Sequence, residues 1–150
     1  MSITLKDLVI ATKCRKGAAA GTTKRGAYWT ACDPIKLRNC GGDGVGNNGP
    51  DVNFYLHLRH YRSGEVQATI ERDTWHQNQG RRSSWESCPK LLECTTVEDA
   101  IVVLKGHQFG GADWTETPYS DYRQDTLTGA LTALGLAITA PAPDEAEASA

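Results

Sequence analysis

The alternation of apolar and polar positions is clearest between residues 52 and 75. Phe54, Leu56 and Leu58 alternate with Tyr55, His57, Arg59 and Tyr61, the period-two pattern of a strand with one buried face. A second run, Glu65-Val66-Gln67-Ala68-Thr69-Ile70-Glu71, follows Arg62-Ser63-Gly64. A two-residue turn sets Leu56 opposite Glu71 and Leu58 opposite Thr69, mixing the faces. A three-residue loop sets Leu56 opposite Ile70 and Leu58 opposite Ala68, and gives Gly64 the left-handed position of a bulge. Because a one-residue slip turns the core face to solvent, the pattern predicts a 52–62/65–75 hairpin with the longer loop. Its other face then carries Tyr55, His57, Arg59 and Tyr61 against Glu71, Thr69, Gln67 and Glu65.

Helical spacing recurs in three places. Thr4 and Asp7 form a capping-box start for a helix over about 5–13, with Gly17 beyond its end. Thr96 with Asp99 opens a second helix whose Val97, Ile101 and Leu104 share a stripe and which Gly106 closes. Thr117-Pro118 opens a third over about 118–134, with Leu127, Leu131 and Leu134 buried and Gly135 ending it. A short strand is predicted around Ala27–Cys32. Residues 41–51 and 76–90 read as loops, the first Gly-rich and the second polar.

The predicted class is α+β, in the order α-β-β-β-α-α, with helices covering one face of a small antiparallel sheet of three strands. Residues 1–138 form a single domain in this reading. Residues 139–150, an acidic Ala/Pro-rich stretch without apolar periodicity, form a disordered tail. The first five elements are similar in order to the double-stranded-RNA-binding domain. No diagnostic motif accompanies that order, and order alone does not carry function.

Composition narrows the classes. Within 150 residues no apolar run reaches the 18 or so that a membrane helix needs. The start lacks a basic region followed by a long apolar stretch, so no secretory signal is expected. Five cysteines, an odd number, point to a reducing, cytoplasmic setting. The net charge of −2 hides a division: residues 1–90 hold 14 Lys and Arg against 8 Asp and Glu, and residues 91–150 hold 2 against 10. Such asymmetry points to a basic surface for a polyanion or acidic partner, balanced by an acidic end.

Motifs for specific chemistry fail on spacing. Gly17 and Gly21 are followed by Lys24 at the wrong distance for a phosphate loop, and the loop from Asp43 lacks the calcium-binding pattern. Cys32 and Cys40 lie eight apart, Cys88 and Cys94 six apart, neither being the tight pair of a structural zinc site. Buried free thiols are therefore expected, and no cofactor. No local signature marks a cysteine nucleophile, and His57 and His60, three apart on a strand, point to opposite faces. Glu65 and Glu71 stand about 20 Å apart along an extended chain, too far for acid–base partnership.

What remains is a surface. Tyr55, His57, Arg59 and Tyr61, flanked by Lys24, Arg25, Arg81, Arg82 and Trp85, make an aromatic-basic binding face. The acidic Asp113, Glu116, Asp121 and Asp125 make a second docking candidate. The first expectation is a small non-enzymatic protein acting through protein–protein contacts, as inhibitor or adaptor of a nucleic-acid-processing complex. The first alternative is direct RNA or DNA binding through the basic amino-terminal half, and the second is a small cysteine/histidine enzyme.

Overall fold

The computed structural model describes residues 2–12, 28–30, 33–40, 51–76, 80–109 and 120–139. Their elements are α1 (Leu5–Ala11), β1 (Tyr28–Thr30), β2 (Ile35–Cys40), β3 (Asp51–Tyr61), β4 (Val66–His76), β5 (Gly80–Ser87), α2 (Pro89–Leu92), α3 (Val97–Gly106), β6 (Ser120–Tyr122) and α4 (Gln124–Leu134). The α+β class holds. The strands form one antiparallel sheet in the order β5-β4-β3-β2-β6, with β1 also paired to β3.

The β3–β4 hairpin adopts the register that keeps one face apolar, pairing Leu56 with Ile70 and Leu58 with Ala68. The Tyr61 N–H donates to the Glu65 carbonyl at 2.8 Å, closing the three-residue loop, and Gly64 takes φ 95°. That conformation is cheap only without a Cβ.

Leu56, Leu58, Ile70 and Leu37 are wholly buried against Leu5, Val9, Leu91, Leu104, Leu127 and Leu131, so the helices share one side of the sheet. The caps follow the side chains. Thr4 and Asp7 complete a reciprocal capping box on α1, and the Thr96 hydroxyl accepts from the Asp99 N–H on α3. Gly135 closes α4 in the left-handed conformation, φ 107°. The Leu5 N–H donates to Cys94 O and the Val97 N–H to Ala137 O, tying the helical layer together.

Three readings need correction. The stretch read as a polar loop over 76–90 contains β5 and the start of the short helix α2. The start of the last helix moves from about 118 to Gln124, because Ser120–Tyr122 pairs with Arg38–Cys40 as β6. Strand β2 adds a further member to the sheet, so five strands, where three were expected, precede α2. A register shift between Lys36 and Arg38 puts both Leu37 and Arg38 in the interior, which breaks the alternation that announces a strand. Of the 139–150 tail, only Thr139 is described.

Candidate functional site

The face of the sheet away from the helices is built by every second residue of three strands. Strand β3 supplies Tyr55, His57, Arg59 and Tyr61; β4 supplies Gln67, Thr69, Glu71, Asp73 and Trp75; β5 supplies Arg81, Ser83 and Trp85. In register, Tyr55 and Trp85 both lie opposite Glu71, and Arg81 lies opposite Trp75.

At its centre is a connected chain of polar groups. His57 is 8% exposed, with Nε2 2.9 Å from Glu71 Oε1 and Nδ1 3.3 Å from Arg59 Nη2. A guanidinium can only donate, so Nδ1 accepts and Nε2 carries the proton that is given to Glu71. The imidazole is therefore the neutral Nε2–H tautomer. Its pKa is lowered, chiefly because burial disfavours the cation and also through the nearby Arg59, against the opposing pull of Glu71. Ser83 Oγ donates to the other Glu71 oxygen at 2.9 Å. The carboxylate sits between histidine and serine, whereas a hydrolytic triad needs the histidine in the middle.

Trp85 roofs this chain. Its ring lies 4.7 Å from the His57 ring, and the Arg59 guanidinium carbon is 4.9 Å from its centroid, a cation–π arrangement. It remains 47% exposed, and Trp75 on the same face is 52% exposed. From the pairing, the two tryptophan positions are separated along the strands by about 13 Å. Between them Arg81 Nη2 reaches Asp73 Oδ2 at 3.1 Å. Farther along, the Tyr61 hydroxyl donates to Gln67 Oε1 at 3.0 Å, and Gln67 Nε2 donates to Glu65 at 3.1 Å.

The residues singled out from the sequence thus separate. His57, Arg59 and Trp85 are brought together, and Arg81 joins the same face. Tyr61 lies on that face but is buried, as is His57, so neither offers a ring for stacking. Arg82 alternates to the helix side of β5, opposite Thr74. Lys24, Arg25, Asp113 and Glu116 lie outside the described residues. Asp121 stands opposite Asn39 in β6, and Asp125 is exposed in the first turn of α4. Trp75, missed in the sequence reading, alternates in phase with Glu71 and Asp73, which was the signal available for it.

A concavity of about 430 Å³ lies between the end of β5, α2 and the end of α3, and Cys88, Lys90, Val102 and His107 line it. His107 Nε2 is 3.1 Å from Glu86 Oε1, outside hydrogen-bonding alignment. Cys88 and Cys94 are free and buried. Burial raises both thiols, Cys94 to about 11, the opposite of what activates a nucleophile. Among the described residues no group of three or more His, Cys, Asp and Glu is placed to hold a metal ion. Cys32 and the Cys40 side chain lie outside them. No described helix is long and apolar enough to cross a membrane.

Compared with protein-family models, curated proteins and solved structures, the chain matches none.

Proposed function

We propose that this chain is a binding protein whose β3–β4–β5 outer face engages another protein. The observation that supports this reading is the distribution of charge and aromatic surface on that face. Glu71 takes hydrogen bonds from His57 and Ser83, and Asp73 pairs with Arg81, while Trp75 and Trp85 stay half-exposed. Tryptophan and arginine, held on a rigid sheet and ringed by paired polar groups, are the residue types that dominate protein–protein hot spots. A nucleic-acid face needs unopposed cations along a backbone track, and the interleaved Glu65, Glu71 and Asp73 oppose one.

Direct RNA or DNA binding is the competing outcome. The test is titration of labelled single- and double-stranded DNA and RNA at two salt concentrations. The expected result is no salt-sensitive binding, unchanged in Arg59→Glu with Arg81→Glu. Binding that weakens with salt and is lost in that double variant replaces this reading with the nucleic-acid one.

A further inference from the structure

Strand β5 ends the sheet, and among the described residues no strand pairs with its far side. The ladder fixes which of its peptide groups face outward. The Cys88 N–H donates to the Ala68 carbonyl at 2.8 Å, so the even-numbered positions of β5 bond inward to β4. In an antiparallel ladder these positions alternate, which leaves the N–H and C=O groups of Arg81, Ser83, Trp85 and Ser87 directed to the free edge. Arg82 and Ser84 are exposed and Glu86 half-buried, all on the helix side of the strand.

Such an edge, eight residues long and unbroken in its register, is a template for another strand. Two adjacent arginines repel most partners and most registers. One register of the strand against itself removes that conflict. With two copies antiparallel about Ser84, Arg82 of each lies opposite Glu86 of the other. The outward peptide groups then match: Ser83 meets Trp85 and Arg81 meets Ser87, each pair exchanging two hydrogen bonds. Arg82 and Glu86 fall at the closely spaced, non-hydrogen-bonded positions, where opposite charges interact most strongly. Sliding the copies by two residues places Arg82 against Ser84 or against Cys88 and loses both ion pairs.

We propose that the chain associates with a second copy of itself by antiparallel pairing of β5 edges about Ser84, making one continuous sheet across a two-fold axis. This stands on the edge and its charges, independently of the outer face as a partner site. The pairing sets the two Trp85 side chains at diagonal positions about 7–8 Å apart, joining the two outer faces into one patch.

The test is sedimentation of the full chain under reducing conditions. The wild type is expected at twice 16.3 kDa. Arg82→Glu and Glu86→Arg, each alone, are expected at the monomer mass with unchanged circular dichroism. The charge-swapped Arg82→Glu/Glu86→Arg chain is expected to return to the dimer. A monomeric wild type, a single variant that stays dimeric, or a folded charge-swapped chain that stays monomeric overturns the proposal. These changes lie on the helix side of β5, so their outcome is separable from loss of partner binding at the tryptophans.

Discussion

The two faces of β3 differ in what they hold in place. On one, Phe54, Leu56 and Leu58 pack beneath helices, and the wholly buried Leu56 and Leu58 bring no polar side chain with them. On the other, His57 and Tyr61 make cross-strand hydrogen bonds to Glu71 and Gln67, Arg59 bonds to His57, and the half-exposed Trp85 lies over His57 and Arg59. The first face derives its stability from area removed from water, which is non-directional and tolerant of chemistry within the apolar class. The second depends on direction: His57 and Ser83 are aimed at Glu71, Tyr61 at Gln67 and Arg81 at Asp73, and Trp85 is oriented outward over His57 and Arg59. One strand therefore serves as both the floor of the core and the base of a presented surface.

The comparison is broken most severely at Leu56. Leu56→Ala leaves a cavity at the centre of the sheet and is expected to cost about 3 kcal/mol, read as a lower urea midpoint. Trp75→Ala on the opposite face is expected to change stability by less than about 0.5 kcal/mol, because half its surface is already in water. Equal losses at the two positions would erase the distinction between the faces.

Glu71→Ala comes next. It leaves the buried His57 Nε2–H without its acceptor, while the exposed Ser83 hydroxyl turns to water, at an expected cost of about 2 kcal/mol. Denaturant unfolding measures it, and a value near zero would show that water satisfies the same donors.

The smallest effect is a dependence on pH. His57 is held neutral, its folded pKa lying below the ordinary 6.5 of the unfolded chain. The unfolded state therefore binds more protons as pH falls below 6.5, and stability is lost in that direction. Proton-linked unfolding measured from pH 7.5 to 5 should show this slope in the wild type and a shallower one in His57→Gln. A slope of opposite sign would mean that Glu71 dominates and the imidazole is charged in the fold.

The same contrast explains what could be read before the structure. The β3–β4 hairpin was legible to its register because one face is apolar and a slip exposes it. The caps at Thr4, Thr96 and Gly135 were legible because each is a local bond or dihedral. Strand β5 was not: both its faces are exposed, and Gly80-Arg81-Arg82-Ser83-Ser84 carries no alternation, so only pairing with β4 makes it a strand. Strand β2 was hidden by its bulge, which buries Arg38 beside Leu37. For the same reason the outer face was legible in part. Its β3 row was found, while the contact that organises it, Trp85 over His57 and Arg59, needed a strand that the pattern does not announce.

The claim that the outer face engages a protein is tested most directly by affinity capture from the native host with nuclease present, comparing the wild type with Trp75→Ala/Trp85→Ala. The account predicts a discrete partner that survives nuclease and is lost, at least tenfold, in the folded double variant. Capture that is equal in both chains, or that disappears with nuclease alone, would contradict it.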